Sequence, residues 1–136
     1  MSSVSKDKIP YKMLELDPYS SWLGIEIIKS TVGRVKLGMK VRSEMLNSMG
    51  KAHGGITYAL ADTAFGFTAN THGRFAVSIE SSINHIEAIE NNDYLIAECT
   101  LDKTKSNLGF HIVEITRNGD LVALFKGVVY RTQKQW

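Results

Sequence analysis

The residues best suited to chemistry fall in one run: His53, Gly54 and Gly55, then Ile56-Thr57-Tyr58-Ala59-Leu60-Ala61-Asp62-Thr63-Ala64-Phe65. The run reads as a nearly all-apolar helix that opens on two glycines and carries a single carboxylate in its interior. A helix that is apolar on every side is expected to be buried. Burying an ionised carboxylate without partners is costly, or raises its pKa until it neutralises. Asp62 is therefore either compensated by neighbours such as Thr63 or present to do chemistry. The glycines supply a second component, because the first N–H groups of a helix have no intrahelical acceptor and can hold an anion or a developing oxyanion. A carboxylate together with such a cradle suggests acyl chemistry.

The chain has 136 residues, enough for one domain with a substantial core and too few for two. A net charge of +2, with no long basic run, excludes nucleic acid as the expected main partner. Cys99 is the only cysteine, so an intrachain disulfide or a multi-cysteine metal site is ruled out, and a reducing, cytoplasmic setting fits. The first twelve residues, MSSVSKDKIPYK, contain no apolar segment of the kind a signal peptide needs. The longest apolar stretch, Gly54 to Ala69, is interrupted by Thr57, Asp62, Thr63 and Thr68 and falls short of a membrane span.

These site residues must be positioned by the elements around them. The polar residues 1–8 are expected to fray, and Pro10 begins a short helix that ends before Pro18. Gly24–Lys29 and Arg34–Val41 read as strands about a Thr31-Val32-Gly33 turn. In the second, Val35, Leu37, Met39 and Val41 alternate with Arg34, Lys36, Gly38 and Lys40. Residues 42–52 form a loop, and the apolar helix spans about Gly54 to Asn70, stopping at Asn70-Thr71-His72-Gly73. Four strands follow: Phe75–Ile86, Tyr94–Lys103, Phe110–Arg117 and Leu121–Arg131, the last two joined by an Asn118-Gly119 hairpin turn. Only an antiparallel sheet is available to cover the long helix, so the fold class is α+β.

Asn47, His53-Gly54-Gly55, Leu60-Ala61-Asp62-Thr63-Ala64-Phe65, and Asn70 before Gly73 resemble the signature of hotdog-fold acyl-CoA thioesterases of the phenylacetate-degradation, PaaI-like subgroup. Leu121-Val122-Ala123-Leu124-Phe125-Lys126-Gly127 is similar to that subgroup's last strand. The likeness covers residues 20–131 and implies one hotdog domain over residues 20–133, preceded by an N-terminal segment, 1–19, with a short helix. Many members have a Pro-containing turn after the third strand. Here Glu87-Ala88-Ile89-Glu90-Asn91-Asn92 stands instead, which bears on the channel rim.

The resemblance implies a curved antiparallel sheet wrapped around the long helix, dimers joined edge to edge, and dimers paired into tetramers. It assigns Asp62 as general base or as nucleophile through a mixed anhydride, Gly54 N–H as oxyanion donor, and Asn47 with His53 as hydrogen-bonding groups beside the thioester. Ser78 falls where related enzymes place a hydroxyl near the attacking water. Gly55 and His85 are expected substrate contacts. Lys103, Lys105, Ser106 and Asn107 are expected in a hairpin loop near the CoA nucleotide. His72, His85 and His111 are too scattered to suggest metal ligands, and neither a metal nor a dissociable cofactor is expected, since CoA belongs to the substrate.

The expected activity is hydrolysis of a small or medium acyl-CoA, aromatic ones included. The alternatives are a non-catalytic acyl-CoA-binding sensor and a hotdog dehydratase, whose usual motif is lacking. Spacing adds a constraint of its own. Gly54 and Asp62 lie eight residues apart, roughly 12 Å along a helix axis. Both must approach one carbonyl to about 3 Å. Two antiparallel helices across a two-fold axis meet that demand, Gly54 of one facing Asp62 of the other, and the resemblance implies the same arrangement, with Asn47, His53 and Gly54 from one chain and Asp62 from its partner.

Overall fold

A computed structural model describes residues 4–136. Its elements are two short helices, α1 (Ile9–Glu15) and α2 (Pro18–Leu23), strands β1 (Glu26–Thr31) and β2 (Arg34–Lys40), the long helix α3 (Gly54–Asn70), and strands β3 (Arg74–His85), β4 (Tyr94–Lys105), β5 (Leu108–Arg117) and β6 (Asp120–Gln135). The strands form one antiparallel sheet in the order β1-β2-β4-β5-β6-β3. The α+β expectation holds, and α3 has the predicted span. The Asn118-Gly119 turn has both residues at positive φ (51° and 85°), as a tight hairpin of this type requires.

The sequence reading missed α2, because Pro18 was taken only as a stop. Asp17 caps this helix, its Oδ1 accepting from Ser20 N–H at 3.0 Å, Pro18 occupies the first turn, and Gly24 at φ +76° ends it. Residues 1–3 of the segment expected to fray lie outside the described residues; in the rest of it the expectation needs correction, since Lys6–Lys8 form a 3-10 turn and Ser30 Oγ donates to the Asp7 carbonyl at 2.7 Å.

The sheet curves around α3, with Val35, Leu37 and Met39 of β2, Leu95 and Ala97 of β4, Val113 and Ile115 of β5, and Phe125 of β6 buried against Leu60, Ala61, Ala64 and Phe65. The contact is close: a Cβ on Gly127 would lie 2.6 Å from the Phe65 ring. Asn70 locks the end of the helix. Its Nδ2 donates to the Gly66 and Ala76 carbonyls, while its Oδ1 accepts from Ala76 N–H at 3.0 Å and Trp136 Nε1 at 2.8 Å.

The helix is not buried on every side, which corrects the expectation for Asp62. The sheet covers one face and α1 part of another, leaving a stripe of Gly55, Ala59, Asp62 and Gly66 open or partly open, with Asp62 itself exposed. At the sheet's end, β3 is an edge strand of 12 residues, paired with β6 on one side and open on the other, on which Val77 and Ile79 are 51% and 59% exposed.

One buried group carries a pH liability. His111, on β5 against the Phe65 ring, is 2% exposed and neither ring nitrogen has a hydrogen-bond partner among the described residues. Burial, partly opposed by the nearby Gly109 backbone and reinforced by His72 and Arg131, lowers its pKa to about 4. Because the folded value lies below the unfolded one, stability is complete above pH ~6.5 and falls as the pH drops toward 4, by about 3 kcal/mol in all. Denaturant unfolding from pH 7 to pH 4 should show this loss, and His111→Phe should remove most of it. An unchanged slope in that variant would assign the acid sensitivity to other groups.

Candidate active site

The loop 42–52 and the start of α3 set the polarity of the site through backbone hydrogen bonds. Asn47 Oδ1 accepts from Met49 N–H (2.9 Å) and Lys51 N–H (3.1 Å), and the loop closes on Gly50 at φ +77°. The side-chain oxygen is thus committed to the turn, leaving Nδ2 as a donor. Asn47 is both the turn former and a candidate site group. His53 is the N-cap of α3, its Nδ1 accepting from Gly55 N–H at 2.9 Å. With Nδ1 an acceptor, the neutral ring carries its proton on Nε2, so His53 too offers a donor.

Gly55 spends its N–H on that cap and has no room for a side chain, since a Cβ would lie 3.0 Å from His53 Nδ1. Gly54, the first helical residue, has no acceptor for its N–H among the described residues. Asn47, Gly54 and His85 line one cavity of about 340 Å³, whose far wall is residues 86–89. Glu87, Ala88 and Ile89 of that wall belong to the Glu87–Asn92 segment singled out in the sequence. Arg117 holds it, donating to the Ala88 carbonyl at 2.9 Å and pairing with Asp93 (2.9 Å) and Glu87 (3.2 Å), while Ala52 N–H donates to the Ile89 carbonyl.

Gly55, His53 and Asp62 lie elsewhere, Gly55 lining both of the cavities that hold the other two. His53 turns into a neighbouring cavity with Tyr19, Trp22, Met45 and Ile56. Asp62 lines a third, of about 430 Å³, between α3 and the α1–α2 segment. Its carboxylate makes no hydrogen bond or ion pair among the described residues. Thr63, the neighbour that could have compensated it, instead donates to the Ala59 carbonyl at 2.8 Å. Although open to solvent on one side, the carboxyl is crowded enough by its neighbours that partial burial raises its pKa above the ordinary Asp value.

Along β3, His85 packs at Gly54 and Ser81 Oγ touches Tyr58 Oη, one turn of α3 further on. Ser78, exposed, is the next residue on that face beyond the bulge at Ile79 and continues the row toward the turn that carries Asp62. Tyr58 and Ser81 were not singled out from the sequence. The alternation of β3, read together with the helix spacing, is the signal that finds them. Lys103 and Lys105 belong to β4 and not to a loop, which is a correction. The turn itself is Ser106-Asn107, with Ser106 at φ +54°. Arg131 holds it through its backbone N–H to the Asn107 carbonyl (2.7 Å) and its Nη2 to the Ser106 carbonyl (3.0 Å). None of these four residues lines the cavities of Gly54 or Asp62. Among the described residues no three His, Cys, Asp or Glu side chains group as metal ligands would, and no helix is long and apolar enough to cross a membrane.

Comparison with known proteins decides the family. The thioesterase superfamily matches residues 49–124, more than half of the chain. The chain belongs to the thioesterase superfamily. A putative esterase of Archaeoglobus fulgidus is 31% identical over 131 residues, covering 96% of this chain and 85% of that one. Acyl-coenzyme A thioesterase PaaI of Escherichia coli is 33% identical over 122 residues, covering 89% and 87%. The solved structure of the E. coli PaaI protein superposes with a TM-score of 0.93 over 98% of this chain and 99% of that one, at 32% identity. A hypothetical thioesterase of Streptococcus pneumoniae, solved with coenzyme A, has a TM-score of 0.79 at 28% identity, covering 82% and 91%. The thioesterase therefore has the hotdog fold, PaaI-like in its details, and is a hydrolase.

The raised pKa of Asp62 gives the pH dependence a sign. If its carboxylate is the working form, kcat/KM falls as the pH drops through a midpoint above ~3.9, the value for a free Asp. Rates measured across the acid range with circular dichroism in parallel should show that limb, displaced upward, before the fold is lost. A flat acid limb with the fold intact would contradict a carboxylate base.

Proposed function

We propose that the protein hydrolyses the thioester of a small or medium acyl-CoA, with each active site built from two chains. The observation that carries this reading is the separation of the open Gly54 N–H and the unpartnered Asp62 carboxylate into different cavities of one chain. Eight helical residues put them roughly 12 Å apart along the axis and about 80° apart around it. Neither group can serve the other's carbonyl within one subunit.

A second copy supplies the missing half. Pairing along the free edge of β3 covers Val77 and Ile79 and brings two α3 helices together across a two-fold axis, closing the open stripe around Asp62. In that arrangement the Gly54 N–H of one protomer polarises the thioester carbonyl, with Asn47 Nδ2 as a further donor from the same cavity, while His53 orders the helix start by capping Gly55 N–H. Asp62 of the partner subunit takes the proton of the attacking water. The tetrahedral oxyanion forms at the Gly54 N–H, where one such donor is worth about 3 kcal/mol in the transition state. Collapse expels the CoA thiolate and leaves the free acid. In the nucleophilic variant of the route, Asp62 attacks first and water then opens the mixed anhydride. Ser78 lies on the strand face suited to hold the water. Cys99 takes no part: it is fully buried, and burial pushes its thiol up to about 12. This fits the reducing cytoplasm we propose as its setting.

Two experiments test the reading. A panel of acyl-CoAs assayed with a thiol reagent should show release of free CoA from at least one, whereas binding without release from any would support the acyl-CoA sensor. Asn47→Ala and Asp62→Ala, each inactive alone, should recover about a quarter of wild-type sites after random subunit exchange, because one site of each mixed dimer collects both lesions and the other neither. No recovery despite demonstrated exchange would place the site within one chain.

A further inference from the structure

The cavity beside Asp62 is lined by a second carboxylate, that of Asp17, next to Ser20 and Thr63, and the hydrogen atoms in this part of it can be counted. Asp17 Oδ1 accepts from Ser20 N–H at 3.0 Å and its Oδ2 from Ser20 Oγ at 2.6 Å. Ser20 is 1% exposed and spends its only hydroxyl proton on this bond. Thr63 spends its own on the Ala59 carbonyl. The 3.4 Å approach of Ser20 Oγ to Thr63 Oγ1 therefore has no proton left to share. What this part of the cavity offers a ligand is lone pairs and a negative charge, with no donor from these three side chains. The remaining walls include Met13, Tyr19, Tyr58 and Phe67, so the approach to it is largely apolar and aromatic.

We propose that Asp17 is a charge-selecting residue: the α1–α2 segment encloses the acyl arm of the substrate, and the Asp17 carboxylate rejects acyl groups that end in a carboxylate. The inference rests on the proposed function in placing the thioester carbonyl at Asp62. From that point one arm of the substrate must enter the cavity. The CoA arm carries phosphates, which a carboxylate-lined cavity repels, so the acyl arm enters. Asp17 has another task, as the cap of α2. Its role as cap of α2 does not exhaust it, since asparagine caps a helix as well as aspartate does and lacks the charge.

That difference provides the test. Wild type and Asp17→Asn are compared on a size-matched pair of substrates, valeryl-CoA and glutaryl-CoA, by thiol release. Binding of the matching non-hydrolysable thioethers, S-pentyl-CoA and S-(4-carboxybutyl)-CoA, is followed by calorimetry. Wild type should favour the neutral member of each pair by about tenfold or more, and Asp17→Asn should reduce that preference about tenfold by raising turnover and binding of the carboxylate-ended member. The wild-type preference should also shrink as salt is raised, which keeps the test available if the variant does not fold. Equal preference in the two proteins, or a preference indifferent to salt, would overturn the inference. Selective binding without thiol release would remove the hydrolase reading and leave the charge selection standing. No binding of either analogue would overturn both.

Discussion

The structure depends on one geometric fact: α3 is apolar around nearly its whole circumference, and the sheet can wrap only part of it. On the wrapped side, Phe65 lies on Gly127 with no room for even a methyl group, and Leu60, Ala61 and Ala64 are sealed. On the unwrapped side lies the stripe of Gly55, Ala59, Asp62 and Gly66, small enough to let another backbone approach and carrying one carboxylate. Beside it, β3 presents an unpaired edge of 12 residues. An open helix face and an open sheet edge on the same side are both relieved by one event, the pairing of two copies. In the account proposed here that event also raises the Asp62 pKa further, because the desolvation already felt in one chain increases when a partner excludes water.

The donor side of the site is fixed by a different economy. Backbone groups consume the acceptors of Asn47 and His53 as turn and cap, so what is left over is donors: Nδ2, Nε2 and the Gly54 N–H. The structural roles of these residues and their chemical roles are thus the same hydrogen bonds seen from two sides. Asp17 repeats the pattern with opposite polarity. Its cap is made with Ser20, and what remains is negative charge in the Asp62 cavity. One helix cap therefore leaves donors free and the other acceptors, the polarities that the proposed carbonyl site and the proposed exclusion of an anion each require.

Much of the fold was legible because local signals agreed with tertiary demand. The strict alternation in β2, the Asn118-Gly119 turn and the apolar run of α3 each had one reading, and each element formed there. The failures were of two kinds. Asp17-Pro18 was read as a terminator although the same two residues, followed by Gly24, also spell cap, first turn and C-terminal stop. The resemblance puts Lys103 and Lys105 in a hairpin loop, whereas β4 continues past the expected strand end at Lys103 to Lys105, and both lysines are exposed on the paired strand. The exposure of Asp62 was not legible at all. Composition shows that a helix face is apolar, but not whether its cover comes from the same chain. The hydrogen-bond accounting at Asn47, His53 and Ser20 likewise needs coordinates, since it turns on which proton is already spent.

The most direct measurement joins assembly to turnover. Val77→Lys with Ile79→Lys places like charges along the free β3 edge, at residues exposed in the single chain and outside the Asp62 and Gly54 cavities. Sedimentation, circular dichroism and thiol release are measured on the same sample. The account predicts a folded monomer that releases no thiol from any acyl-CoA that the wild-type dimer hydrolyses. A folded monomer that turns over at the wild-type rate would contradict it.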